Sequence, residues 1–373
     1  MKMRKTAIAI VLAAMSAGAS AQTDKAAAKA MPAVSGYVMG RYQADFREAG
    51  GSNSFEIRMA RVSLSGHIGD FEYRVQGQIN GNTETLGSSP RIVDAYAEWQ
   101  KHRYFKVKAG QFKRPFTFEN PMNPIDQGFM GYGQAVSKLS GFNDRTGEQA
   151  SNGRDIGLQV QGDLLPGSSG RCLLHYQIGV FNGQGINTKD ADSRKDIIGG
   201  VWIAPAEGVR IGAFGWAGSH ARKGTVDDGA GNAVPATVSL GQYRYALSAE
   251  YKKADWQIRS EYIHSTGYGF SKACQTDDDK SDITVNTAQG NKADGFYALC
   301  IAPIVSGKLR AKARYDVYRK SAGWGSSRTQ YEAGLNWLIH KNVEIQAEYA
   351  LINDRNLTKH NYSMADVELC VRF

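Results

Sequence analysis

Basic side chains occupy every second position over one stretch of the chain, at Lys308, Arg310, Lys312 and Arg314. If this stretch is a β-strand, the four side chains share one face, with neighbouring heads about 6.5–7 Å apart. That spacing lies within a Debye length at physiological salt, so an anion could pass from one head to the next without losing its partner. The pattern therefore favours reversible anion binding on a wetted surface. The alternative is that each cation faces a carboxylate across that surface.

Other cations follow the same alternation and are further candidates for anion binding: Lys106, Lys108, Lys113, Arg114, Arg58, Arg61, Arg74 and Arg145. Acidic residues alternate onto the same predicted faces, so the surface carries both signs: Glu72, Asp94, Glu98, Glu250, Glu261, Glu332, Glu344, Glu348, Asp366 and Glu368. The balance favours anions only weakly. A transverse field between opposed basic and acidic patches is therefore expected.

Catalytic and metal-binding signals are weak by comparison. The seven histidines are scattered, and the chain has neither an HExxH nor a GxSxG motif. An enzyme would need residues that are distant in the sequence to converge. The cysteines lack metal-type spacing; a Cys274–Cys300 bridge and isolated thiols both remain open. Asp277–Asp279 lacks the ligand spacing of a calcium loop and favours an exposed loop tip. We expect no cofactor and no metal.

The elements that position these residues are β-strands, because apolar and polar residues alternate along most of the chain. In one window Phe71, Tyr73 and Val75 alternate with charged and amide residues, and no helical period fits. About sixteen such segments are predicted, near residues 34–46, 55–69, 70–80, 91–101, 104–113, 154–163, 171–182, 195–204, 208–219, 241–253, 254–266, 294–303, 305–318, 328–340, 341–352 and 362–373.

The connections between these segments alternate in length. Short turns, such as Gly69-Asp70, alternate with long polar segments at 47–54, 81–90, 114–153, 183–194, 220–240, 267–293, 319–327 and 353–361. Short turns on one side and long loops on the other are typical of an outer-membrane barrel, and an even strand count places both termini on the short-turn side. Several aromatic residues lie near predicted strand ends, as an interfacial girdle requires: Tyr37, Trp99, Tyr104, Trp202, Trp256 and Trp337.

The first residues predict export. Lys2, Arg4 and Lys5 precede a short apolar run, and Ala19-Ser20-Ala21 has the pattern of a signal-peptidase site. We therefore predict a signal peptide at 1–21, a polar lead-in at 22–33 and one barrel at 34–373. Removal of three basic residues leaves 42 Lys and Arg against 36 Asp and Glu, a net charge of +6. The basic residues alternate with apolar ones instead of forming one patch, so nucleic acid is not expected as a partner.

Composition excludes several classes. The charged fraction of 22% and the mean hydropathy of −0.41, with 42 glycines and 9 prolines, exclude a disordered chain, a collagen and a small disulfide scaffold. A siderophore-type transporter needs a plug and about 22 strands, which this length cannot supply. A secreted soluble all-β domain remains the alternative to a membrane barrel. The chain ends in an alternating strand with a terminal Phe373, which resembles the signal read by the barrel assembly machinery.

Three blocks of the sequence resemble the phosphate-selective porin O and P family. They are Arg61–Arg74 (RVSLSGHIGDFEYR) with Asp94–Glu98, Lys108–Glu119 (KAGQFKRPFTFE), and Tyr176–Asn187 (YQIGVFNGQGIN) followed by Lys195-Asp196. The resemblance spans about residues 34–373. It implies a sixteen-stranded transmembrane antiparallel β-barrel, a trimer of pores, and a long loop, here 114–153, folded inward to form the constriction. It further implies that Lys113 and Arg114 hold the anion at that constriction.

Together these observations predict a passive diffusion channel in a Gram-negative outer membrane, in contact with lipid and lipopolysaccharide. We expect it to prefer small anions such as phosphate. A general, weakly selective porin is the alternative, and an outer-membrane enzyme or a plugged binding protein is a remote one.

Overall fold

The computed structural model describes residues 32–48, 50–79, 90–148, 150–167, 170–271 and 283–373. The strands are β1 (Ala33–Asp45), β2 (Ser52–Ile68), β3 (Phe71–Ile79), β4 (Arg91–His102), β5 (Phe105–Lys113), β6 (Arg154–Pro166), β7 (Cys172–Phe181), β8 (Asp196–Ile203), β9 (Val209–Asp227), β10 (Ala233–Lys253), β11 (Trp256–Thr266), β12 (Gly269–Phe270), β13 (Val285–Asn286), β14 (Lys292–Val305), β15 (Leu309–Arg319), β16 (Ser327–His340), β17 (Val343–Asp354) and β18 (Asn361–Arg372).

Sixteen of these strands form one closed barrel, which confirms the predicted fold class. Neighbours in the barrel are antiparallel, and β1 closes it by pairing with β18, with Tyr37 opposite Arg372. The two-residue strands β12 and β13 form a separate small sheet. Closure matters because it leaves no unpaired strand edge, so the backbone can satisfy its hydrogen bonds within an apolar surrounding.

Alternation along the strands separates two faces. On β10, Tyr243, Tyr245 and Leu247 are exposed on the outside, whereas Arg244 and Ala246 between them point inward and are buried. The barrel is therefore apolar outside and polar inside, the reverse of a soluble domain. No helix among the described residues is long and apolar enough to span a membrane.

The structure departs from the sequence predictions at two loops, and β12 and β13 lie in one of them, the predicted loop 267–293. Residues 220–240, predicted as a loop, mostly continue β9 and β10 as a paired hairpin. Beyond an apolar layer no face has to be apolar, so the alternation stops while the backbone pairing goes on.

Two of the predicted girdle residues are also placed differently. Tyr37 packs inside the barrel against Met39 and Met59, and Trp202 packs inside against Phe118. By contrast, Tyr104, Trp256 and Trp337 are exposed. Two of the six aromatic residues therefore belong to the interior of the barrel, because their parity along the strand directs them inward.

The segment 114–153, called the constriction loop below, packs inside the barrel. It contains the short helix α1 (Gln134–Leu139) and the 3-10 helix Pro124–Asp126; two further 3-10 helices are Thr287–Gln289 and Trp324–Ser326. Its apolar residues join inward-facing wall residues in one buried cluster, which includes Phe116, Val136, Leu139, Trp216 and Tyr297.

Wall carboxylates also hold the backbone of the constriction loop. Glu261 accepts from the backbone N–H of Phe118 at 2.6 Å and from that of Glu119 at 3.1 Å. Glu348 accepts from the N–H of Met130, and Asp316 from that of Gln134, each at 2.8 Å. Because an unpaired buried N–H is costly, these bonds fix the course of the loop across the lumen.

The predicted signal peptide 1–21, most of the lead-in 22–33, Cys274 and Asp277–Asp279 lie outside the described residues.

Candidate functional site

A recess of about 200 Å³ lies between the barrel wall formed by β3–β7, called the recess wall, and the start of the constriction loop. Its charged lining consists of four cations and one carboxylate: Arg74, Lys108, Lys113, Arg154 and Asp94. Clefts lined by one sign of charge concentrate ions of the opposite sign. The recess therefore carries an excess of basic side chains.

The single carboxylate of the recess is shared between two arginines. Asp94 accepts from Arg154 Nε at 2.6 Å and from Arg154 Nη2 at 3.1 Å. Arg74 Nε lies 3.9 Å from the same carboxylate. A fork-shaped pair with Arg154 is the stronger geometry, so Arg74 keeps most of its charge available to the lumen. Its side chain is 29% exposed.

Lys108 projects from β5 onto the aromatic part of the recess. Its Nζ lies 3.2 Å from Glu98 and 4.6 Å from the centre of the Tyr96 ring. Lys106, two residues earlier on the same face, lies 3.7 Å from Asp163, which also binds His175. Both lysines are partly exposed toward the lumen, as alternation predicted.

Lys113 is the cation that meets the constriction loop. Its Nζ donates to the carbonyls of Asn120 and Met122, at 2.5 and 2.8 Å, and to the hydroxyl of Tyr132 at 2.8 Å. No carboxylate pairs with it among the residues that the structure describes. Burial raises the pKa of Tyr132 above its ordinary value, so its hydroxyl stays neutral. The Lys113 side chain thus ties the recess wall to the start of the constriction loop through oxygen acceptors.

A second wall, formed by β15–β18, has a different arrangement of charges and is called the paired wall. Each cation there has its own carboxylate. Arg314 pairs with Glu332, its cross-strand neighbour on β16. Lys312 pairs with Glu348 on β17. Arg310 lies 2.7 Å from Glu344, also on β17. Ion pairs of this kind leave little field in the lumen.

The predicted ladder of four cations is therefore wrong as a continuous anion path. Lys308 lies in the exposed turn before β15, not on the strand. Lys312 and Arg314 are buried and donate to the carbonyls of Gly128 and Gly131, at 3.0 and 2.8 Å, so they hold the constriction loop against the wall. The alternation in the sequence runs on into the turn before β15, so it included Lys308 by mistake. Gly307 in that turn has a φ of 69°, a conformation that glycine adopts readily.

Arg114, predicted at the constriction, does not face the lumen. It is fully buried, 3.1 Å from Glu148 and 2.9 Å from Asp155. Burial alone would lower its pKa, but these two carboxylates hold the pKa of Arg114 above its ordinary value. The residue anchors the root of the constriction loop and cannot contact a passing solute.

Three other predicted arginines are also placed away from an open path. Arg145 donates to the carbonyl of Gly290 at 2.9 Å and ties the constriction loop to the segment after β13. Arg61 points inward but is buried, with Nε donating to Gln78 at 2.8 Å. Arg58 lies 2.9 Å from Glu368. The prediction of Arg61 and Arg145 as exposed pore-lining residues is therefore wrong.

Sequence reasoning missed Arg154 and the amides beside it. Arg154 is the first residue of β6, and its side chain contacts β4 across the intervening β5. Only the strand register brings it to Asp94.

Among the described residues, no group of three or more His, Cys, Asp and Glu side chains is arranged to hold a metal ion.

Comparisons with known proteins agree with the barrel fold. The sequence model of the phosphate-selective porin O and P family matches residues 35–371. No curated protein matches the chain at a significant level.

Solved structures share the fold. An anion-selective porin from Comamonas acidovorans has a TM-score of 0.63 at 12% identity, covering 92% of this chain and 99% of that one. OmpF of Salmonella typhi, in complex with daunomycin, has a TM-score of 0.60 at 12% identity, covering 92% and 97%. OprB of Pseudomonas putida has a TM-score of 0.58 at 9% identity, covering 94% and 96%. At these identities the likeness establishes the barrel fold alone.

Proposed function

The chain belongs to the phosphate-selective porin O and P family, a family of diffusion channels in the Gram-negative outer membrane, and on that premise we propose that this channel prefers small anions. The observation that carries the preference is the recess, where four cations face one carboxylate. Fixed charges in a low-dielectric wall select ions by sign. Small phosphate-like or carboxylate anions are the proposed solutes.

The cations proposed to set this preference are Arg74, Lys106, Lys108 and Lys113. The first three are partly exposed to the lumen, and Lys113 is bound by carbonyl and hydroxyl oxygens, with no carboxylate partner among the described residues. Arg154 shares Asp94 with Arg74 and so keeps that carboxylate from neutralising Arg74. The paired wall contributes little, because its cations are matched one to one.

The test is the zero-current potential of the purified channel in a planar bilayer under a gradient of potassium chloride. We expect a potential of the sign that chloride permeation produces. A potential of the potassium sign would overturn the proposal. A potential near zero would favour the second candidate, a general and weakly selective porin, which the one-to-one pairing of the other wall supports.

The remaining proposals concern delivery and assembly. We propose that residues 1–21 form a signal peptide cleaved after Ala21, that 22–33 form a lead-in, and that the terminal Phe373 is read by the barrel assembly machinery. A homotrimer in contact with lipopolysaccharide is the proposed working form. The mass of the N-terminal peptide of the mature protein tests the cleavage site. The mass of the purified oligomer, corrected for bound detergent, tests the homotrimer.

A further inference from the structure

Three glutamines line the recess beside its cations: Gln159 and Gln161 on β6, and Gln177 on β7. Amide side chains do not attract anions by charge. Each carries an oxygen that accepts hydrogen bonds and a nitrogen that donates two. Their positions therefore indicate which polar groups of a ligand, besides a negative charge, could form hydrogen bonds in the recess.

A chain of hydrogen bonds fixes which way two of these amides point. Glu98 can only accept, because its carboxylate is paired with Lys108. Gln161 Nε2 donates to Glu98, which turns Gln161 Oε1 toward Gln159. Gln159 Nε2 donates to that oxygen at 2.7 Å. The other polar atom of the same side chain, Gln159 Oε1, is therefore the amide oxygen, which can only accept a hydrogen bond.

Gln159 Oε1 has no hydrogen-bond donor within the described part of the chain. The residue is 4% exposed, and a buried acceptor without a donor costs about 1–3 kcal/mol. Lys108, Arg154 and Lys113 are donors already engaged with carboxylates or carbonyls. A ligand that brings its own hydroxyl would relieve this oxygen.

The rest of the recess suits a carbon skeleton. The rings of Tyr96 and Phe112 and the prolines Pro115 and Pro121 form its apolar lining. Aromatic faces pack well against the C–H groups of a small organic solute. Inorganic phosphate offers a hydroxyl but no apolar face, and a simple fatty acid offers an apolar face but no hydroxyl.

We propose that the recess is a binding site for hydroxylated organic anions, such as sugar acids, whose carboxylate lies near Arg74 and Lys108 while a hydroxyl donates to Gln159 Oε1. This inference rests on the proposed anion preference and names the solute class of that same site. The solute lies with its C–H face on Tyr96.

The experiment compares gluconate with hexanoate, which has six carbons and the same charge but no hydroxyl, as blockers of the chloride current through single channels. We expect gluconate to block at a concentration about tenfold lower, since about 1.4 kcal/mol of hydrogen bonding corresponds to that factor. In Gln159→Leu the difference between the two blockers should fall to about twofold or less. Gln159→Met repeats the test with an unbranched side chain, in case the first variant does not fold.

The matched control is Gln43→Leu, a glutamine on β1 outside the recess, which should keep the full preference for gluconate. Equal block by both anions in the unmodified channel, or an undiminished gluconate preference in both Gln159 variants, would overturn the inference. The zero-current potential in potassium chloride is recorded on the same channels. A chloride preference without a gluconate preference rejects this inference alone, whereas loss of the chloride preference rejects the proposed function.

Discussion

The recess wall and the paired wall carry similar numbers of basic residues but use them differently. On the paired wall, Arg310, Lys312 and Arg314 each contact one carboxylate of β16 or β17, and two of them are buried under the constriction loop. On the recess wall Lys106 and Lys108 are also matched with carboxylates, but Arg74 and Arg154 share Asp94. Lys113 there donates to carbonyl and hydroxyl oxygens instead of a carboxylate. The number of cations on a wall therefore does not predict its field; the number of matched carboxylates does.

The largest expected effect comes from breaking a buried pair on the paired wall. In Arg314→Leu, Glu332 keeps its charge in a covered position and the carbonyl of Gly131 loses its donor. Removing one partner of a buried pair costs about 3–5 kcal/mol. We expect a lower temperature for loss of the folded barrel on a denaturing gel, and noisier conductance as the constriction loop loosens.

The matched control for this variant is Arg310→Leu, whose pair with Glu344 is 30% exposed on the arginine side. An exposed pair contributes about 0–1 kcal/mol, so this variant should unfold close to the unmodified channel. Equal destabilisation by the two substitutions would show that the paired wall does not hold the loop in the way described.

The second effect concerns Lys113. In Lys113→Met the carbonyls of Asn120 and Met122 and the hydroxyl of Tyr132 lose their shared donor, and the recess loses one of its four basic side chains. We expect a several-fold lower ratio of chloride to potassium permeability, measured from the zero-current potential, together with a changed unitary conductance.

Lys113→Arg separates the two causes, because it keeps the charge but not the compact ammonium. Its permeability ratio should stay near that of the unmodified channel even where its conductance changes. A ratio as low as that of Lys113→Met would show that loop position, not charge, sets the preference.

A smaller effect is expected from salt. Arg74 and Lys108 of the recess are partly exposed, and at 1 M salt the Debye length falls to about 3 Å. The chloride preference should therefore be clearly weaker in gradients near 1 M than in gradients near 0.03 M, when the zero-current potentials are compared at a fixed concentration ratio. The unfolding temperature should change little, because the buried pairs of the other wall are screened less. A preference that does not change with salt would contradict surface charge as its origin.

The smallest expected effect is that of Lys308→Gln. Lys308 is exposed in a turn and lies on neither wall, so its removal should leave the permeability ratio unchanged within error. A loss of chloride preference as large as that of Lys113→Met would restore the ladder that the sequence alternation suggested.

Much of the barrel could be predicted from the sequence, because an apolar outside and a wet inside impose a period of two on each strand. The sixteen predicted segments coincide with the barrel strands to within a few residues, apart from the longer β9 and β10. Those extensions could not be predicted, since residues such as Arg222 and Lys223 continue the backbone pairing without an apolar face.

The charge arrangement was harder to predict, because it depends on strand register and on the constriction loop. Arg314 lies directly opposite Glu332 on the adjacent strand. Counting the strand register outward from the connecting turn could have indicated that pair. Nothing local to Arg114 or Arg154 shows that one is buried at the loop root while the other binds Asp94. Alternation gives the face of a residue, but not what covers it.

The central claim is that the recess wall sets the anion preference. It is tested most directly by comparing Lys108→Gln with Arg310→Gln, since each removes one partly exposed cation with one carboxylate partner. The measurement is the zero-current potential of each channel in the same potassium chloride gradient. The account predicts a clear fall in chloride preference for Lys108→Gln and little change for Arg310→Gln. Equal falls, or a larger one for Arg310→Gln, would contradict it.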